Sequence, residues 1–217
     1  MYKITFLLAT LLLLVSVSSC KSIAISQQQT TIINRATERK QDSLAFELCQ
    51  IYGSDQGIRN DFLKREHIDF GNVYQAIDTL NFNRIIRFIE SNGFPNKKLL
   101  GEKNYSFECV YSAFPVLLHN AFLIATQEKY FNLLLKEVTA GNLKPEGFSF
   151  LLDKYYWGKS ENKETRRVFY GSQFGKPCIQ TKEATNKARI EIGLEALEDA
   201  GFVDCGDEVL DMPKDRK

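Results

Sequence analysis

YSFECVYSAFPVLLHNAFLIA, residues 105–125, decides the fold class. The stretch is apolar nearly all round, which predicts a central helix packed on several sides. Pro115 must start, kink or divide that helix, because it has no N–H to give and its ring obstructs the preceding turn. Upstream, Asn72–Asn92 carries Val73, Ile77, Leu80, Phe88 and Ile89 at helical spacing and stops at Asn92-Gly93, just before Pro95. Further upstream, Arg35–Tyr52 places Leu44, Leu48 and Ile51 on one helical face.

Downstream, the spacing predicts a helix over Gln127–Ala140 that ends at Gly141, and Pro145 suits the first turn of another reaching about Trp157. A last helix is predicted over Glu183–Ala200, with Ile190, Leu194 and Leu197 sharing a face. Arg166–Phe174 is less periodic. No succession of alternating strands appears, which argues against a doubly wound sheet. The expectation is an all-α fold. It is a single domain over 35–217, of about six helices, with one irregular or extended segment near 166–175.

The N-terminal end has a different character. Met1-Tyr2-Lys3 is a short basic start, Ile4–Val15 is oily, and Val17-Ser18-Ser19-Cys20 closes the run with small residues and a thiol. This is the layout of a secretory signal, and the run is shorter than the about 20 apolar residues of a spanning helix. Val17–Cys20 resembles the bacterial lipoprotein box. That resemblance implies cleavage after residue 19 and acylation of Cys20, with membrane lipid as its partner. Residues 20–34, with Gln27-Gln28-Gln29 and Thr30-Thr31, read as a tether. The expected location is the bacterial cell envelope. Lys21-Ser22 lacks an acidic cluster after the cysteine, which favours the periplasmic side.

Loss of the leader removes Lys3 and no acid, so the 28 basic residues fall by one to match the 27 acidic ones. A domain without net formal charge has no electrostatic reason to seek nucleic acid. No P-loop, G-x-G-x-x-G or H-E-x-x-H occurs, and no cofactor is implied. Cys49, Cys109, Cys178 and Cys205 lie far apart with no C-x-x-C pair. Cys49 and Cys109 sit among apolar residues and read as buried thiols. An envelope location permits disulfides, and four cysteines allow three pairings; Cys178–Cys205 is the first candidate, because both lie in less regular, C-terminal sequence.

Several polar motifs remain, in this order: Asp55-Gln56-Gly57-Ile58-Arg59, His119 in an apolar helix, Leu151-Leu152-Asp153-Lys154, Tyr170-Gly171-Ser172-Gln173, and Asn186–Leu194. Together they resemble an uncharacterised bacterial family, a domain of unknown function with motifs of the type D-Q-x-x-R, a helical Q-H, L-x-D-R, Q-x-Y-G-T-Q and R-x-x-x-G-L. The resemblance covers about Asp55–Ala200. D-Q-x-x-R is intact, whereas Leu118 stands for Gln, Lys154 for Arg, Val168 for Gln and Ser172 for Thr. It marks positions and implies no reaction.

Physically, Ser54 reads as a helix cap with Asp55 opening the helix and pairing with Arg59 one turn on. Arg59 could instead hold a carboxylate or phosphate, helped by Gln56. His119 reads first as a satisfied core histidine; in a cleft it would suit general-base work, with Asp153 or Asp55 orienting the ring. With His67 as the only other histidine, a histidine-rich metal site is not expected. Asp153-Lys154 reads as a surface pair. Tyr170, Ser172 and Gln173 could offer hydroxyls and an amide to a polar ligand beside the turn at Gly171, or Gln173 could satisfy buried backbone. Ser172 follows Tyr170 and Gly171, so it is not the serine of a G-x-S-x-G elbow. Tyr155-Tyr156-Trp157 reads as helix-end packing.

Three functions fit these readings. One is a lipid-anchored binding or interaction domain with a small polar ligand or a protein partner. The second is a hydrolase or transferase with His119 as base and Arg59 with Gln173 holding the substrate. The third is an envelope structural or immunity-like partner protein.

Overall fold

The computed structural model describes residues 2–59, 71–160 and 165–207, with side chains from residue 29 onward; the side chains of Cys20 and His67 lie outside the described residues. The chain is all-α. Helix α1 runs Tyr2–Gly57, and the chain divides into two units, Met1–Leu44 and Ala45–Lys217. In the first unit, side chains 29–40 are all exposed, Ile32 and Ile33 among them. No helix among the described residues is long and apolar enough to cross a membrane.

In the second unit, the end of α1 is followed by α2 (Gly71–Asn92) and two single turns, α3 (Lys97–Leu100) and α4 (Glu102–Tyr105). A 3-10 turn, Glu108–Ser112, leads into α5 (Ala113–His119), α6 (Ala121–Thr126) and α7 (Glu128–Thr139). Then come α8 (Pro145–Lys159) and α9 (Lys182–Glu191). The central apolar stretch is broken twice. Pro115 falls in the first turn of α5, where its missing N–H costs nothing. Asn120 then interrupts the helix, and its amide donates to the Val116 carbonyl at 2.9 Å. The two halves still form the middle of the unit: α5 packs on α2 and α8, and α6 on α7 and α8. Leu48, Ile85, Val116, Leu117, Ile124 and Leu151 are sealed from solvent.

Gly141 ends its helix where the sequence predicts, and Gly193 ends another early. Gly141 (φ 74°) donates to Val138 O and Asn142 to Glu137 O, and Gly193 (φ 86°) repeats the pattern with Ile190 and Arg189. Both are Schellman closures, which need a left-handed residue. The second ends α9 at Glu191, shorter than the predicted Glu183–Ala200. Its buried face is Thr185, Ala188, Arg189 and Ile192, whereas Ile190 is 63 % exposed. On α2, Val73 and Leu80 also face outward, and Phe82, Ile85, Ile86 and Ile89 form the inner face. The segment near 166–175 is irregular, with Val168 bridged to Pro177.

Two disulfides cross-link the second unit. Cys178–Cys205 is the first candidate of the sequence, with Cα atoms 5.5 Å apart. Cys49–Cys109 corrects the reading of two buried free thiols, and it joins α1 to the 3-10 turn before α5. The apolar neighbours that suggested burial, Phe46 and Phe107, are 64 % and 51 % exposed, so these cysteines sit at the edge of the core.

Candidate functional site

Asp55 lies in the last turn of α1, not the first turn of a helix; Ser54 is no cap, and its hydroxyl donates to Asn81 Oδ1 on α2 at 2.8 Å. This places Asp55 inward at 1 % exposure. Its Oδ1 meets His119 Nδ1 at 3.2 Å and Arg59 Nη1 at 3.1 Å, and its Oδ2 accepts from the Gln56 amide at 2.6 Å. Arg59 also donates through Nη1 to the Asp55 carbonyl at 2.7 Å and through Nη2 to Asp78 on α2. Burial pushes the Asp55 carboxyl upward, but His119, Arg59 and Gln56 outweigh it and hold the pKa below the usual carboxylate value.

His119 is the last residue of α5, and its side chain keeps 28 % exposure. It is therefore not the sealed core histidine of the first reading. An ionised carboxylate can only accept, so Nδ1 donates to Asp55, and a neutral ring bonded in this way has its lone pair on Nε2. Asp55, Asp78 and His119 place one ligand atom each within 4.8 Å of one another, a spacing that could suit a metal ion. The Arg59 guanidinium pairs with both carboxylates and already supplies a positive charge there.

The remaining motif residues gather elsewhere. Asp153 on α8 is sealed at 0 % exposure, which corrects the surface reading. Its Oδ1 accepts from the backbone N–H of Phe169 at 2.8 Å and Tyr170 at 2.7 Å, and its Oδ2 from that of Ser172 at 2.9 Å. Burial raises the Asp153 carboxyl, and these amides pull it partly back. The loop can wrap the carboxylate because Gly171 adopts φ 73°; a Cβ there would stand 2.9 Å from Pro177 Cδ. Tyr170, expected to offer its hydroxyl to a ligand, has its side chain buried at 0 % exposure, and its carbonyl accepts from Arg189 Nη1.

Beside this loop opens a cleft of about 380 Å³, walled by Phe114, Phe150, Ser172, Gln173, Arg189 and Glu146. Phe114 and Phe150 stack with centroids 5.7 Å apart, and Phe150 continues onto Phe174 at 4.4 Å. Gln173 is exposed and bonds no backbone group among the described residues. The Trp157 ring packs against Phe174 at 5.4 Å and under Arg166 and Lys154, at 3.6 and 4.3 Å, in keeping with helix-end packing.

The predicted residues thus fall into two groups. Asp55, Gln56, Arg59 and His119 form one, and Asp153, Tyr170, Ser172 and Gln173 the other. Both adjoin α5, since His119 ends it and Phe114 lies near its start, roughly 7 Å away along the axis. Asp153 does not orient His119; Asp55 does. Asp78, Phe114 and Phe150 escaped the sequence reading; Arg189 fell within the Asn186–Leu194 motif but was given no role there. Its place on the α9 face with Thr185 and Ile192 was a further signal. No family model, no curated protein and no solved structure matches the chain.

Proposed function

We propose that this chain is a lipid-anchored binding domain of the bacterial cell envelope, held through acylated Cys20 and facing the periplasm, that takes a small polar ligand in the cleft beside the Gly171 loop. The cleft itself carries the reading. At about 380 Å³ it falls within the range of small-molecule sites, and it combines two stacked aromatic walls with the hydroxyl of Ser172 and the amide of Gln173. The address rests on the lipobox-like Val17–Cys20 and gains support from the two disulfides, which suit an oxidising compartment. Two acyl chains, at about 0.8 kcal/mol per buried methylene, anchor a protein stably.

A thermal-shift screen of small polar compounds tests the binding reading. Compounds that raise Tm in the native chain but not in Phe150→Ala support it, and equal shifts in both proteins refute the cleft as the site. Membrane fractionation of Cys20→Ser tests the anchor, with release from the membrane expected.

A second reading rests on the Asp55–His119 contact at 3.2 Å, which leaves Nε2 open for general-base work on water. Arg59 is spent on Asp55 and Asp78, and Gln173 belongs to the other group, so a substrate there would be held by different residues. Hydrolysis of p-nitrophenyl acetate that falls to background in His119→Ala supports this reading; equal rates in the two proteins end it.

A further inference from the structure

Arg189 is the odd residue of the cleft. It shares the inner face of α9 with Thr185, Ala188 and Ile192, and only 8 % of it is exposed. A guanidinium carries five N–H donors in a rigid fork. Nε donates to the Glu195 carbonyl at 2.8 Å and Nη1 to the Tyr170 carbonyl. Nη2 has no partner among the described residues, and Arg189 lines the cleft. Burial lowers its pKa while the field of Asp153 favours its charge. Asp153, however, spends its oxygens on the amides of Phe169, Tyr170 and Ser172. Nη2 thus faces the cleft, where an acceptor on a ligand can take the place of water.

We infer that the cleft binds a small carboxylate, with one carboxylate oxygen on Arg189 Nη2 and an apolar or flat body against Phe114 and Phe150. The inference rests on the cleft being the binding site. The Gln173 amide also lines the cleft as a further donor. A phosphate dianion is the poorer match. Only one guanidinium nitrogen remains free, and the carboxylates of Asp153 behind it and Glu146 at the rim oppose a second negative charge. The body follows from the stacked rings, which continue from Phe114 through Phe150 to Phe174 as one apolar surface with centroids 5.7 and 4.4 Å apart.

The test uses the full chain in detergent and three probes: 3-phenylpropanoate, its neutral amide 3-phenylpropanamide, and inorganic phosphate. Binding is followed by the backbone amide shifts of Gly147, Gly171 and Ser172. A charge-assisted bond to Arg189 predicts the carboxylate to bind about tenfold more tightly than the amide. Arg189→Gln should abolish that preference. Because this variant removes two bonds to backbone carbonyls, Glu146→Gln serves as the second, and it should tighten the carboxylate alone by severalfold. Equal affinities for carboxylate and amide would overturn the inference and leave the cleft as a neutral-ligand site. Phosphate binding as tight as the carboxylate also overturns it. Cleft amides that respond to no probe overturn the inference and the binding reading together.

Discussion

The Asp55 carboxylate and the His119 imidazole, 64 residues apart in sequence, meet at 3.2 Å, with the acid 1 % exposed and the histidine facing water. Arg59 and Gln56 complete the shell around the acid. A carboxyl whose pKa is lowered by folding holds its proton more tightly in the unfolded chain. Its contribution to stability is therefore present above the ordinary carboxylate pKa and is lost as pH falls through the depressed folded value. Asp55→Asn should cost about 2 kcal/mol at neutral pH and flatten this acid limb. Urea midpoints for both proteins across the acid range check it, and parallel curves would refute the assignment.

Asp153 behaves with the opposite sign. Its raised pKa means that the folded chain keeps the proton longer, so its contribution to stability falls as pH rises from the ordinary carboxylate value through the raised one. Asp153→Asn should remove that slope. It should also destabilise by about 3 kcal/mol, because the new amide N–H₂ faces a backbone donor at either oxygen position. Denaturant midpoints at several pH values measure both effects.

Gly171→Ala combines a left-handed φ of 73° with a Cβ 2.9 Å from Pro177 Cδ and 3.1 Å from Leu197 Cδ1. The expected loss is about 2–3 kcal/mol. Gly193→Ala, at φ 86° but with its nearest neighbour, Pro145 Cγ, at 3.4 Å, should lose about 1 kcal/mol. The order of the two Tm values is the check.

Reduction should destabilise the second unit strongly. The Cys49–Cys109 and Cys178–Cys205 bonds close loops of 60 and 27 residues, each worth about 3–4 kcal/mol in the chain-entropy account. An unreduced digest should contain both cross-linked peptide pairs, and dithiothreitol should lower Tm. Free thiols at these four positions would contradict the pairing.

The sequence showed most clearly where local chemistry decides the structure. Gly93 and Gly141 end helices and Pro115 and Pro145 begin them, because φ > 0 and a missing N–H act within a single turn. The break at Asn120 was hidden, since an asparagine amide that turns back onto Val116 O competes with the helix only weakly in sequence terms. Helix faces were misjudged at Val73, Leu80 and Ile190, apolar residues that the neighbours leave outside. The site residues were legible as types but not as partners. Asp78 joins Arg59 from another helix, and Arg189 depends on two carbonyls that a loop and a Schellman turn bring to it. Such encounters arise from tertiary packing, which no spacing rule encodes.

The Cys49–Cys109 bond turns the stretch between its cysteines into a covalent ring that contains Asp55, Arg59 and Asp78, with His119 ten residues past its clasp. Asp55 lies six residues inside the ring along α1, and His119 hangs from the far side of the same clasp. The spacing of the pair is thus set at the clasp, as the jaws of a caliper are set at the pivot.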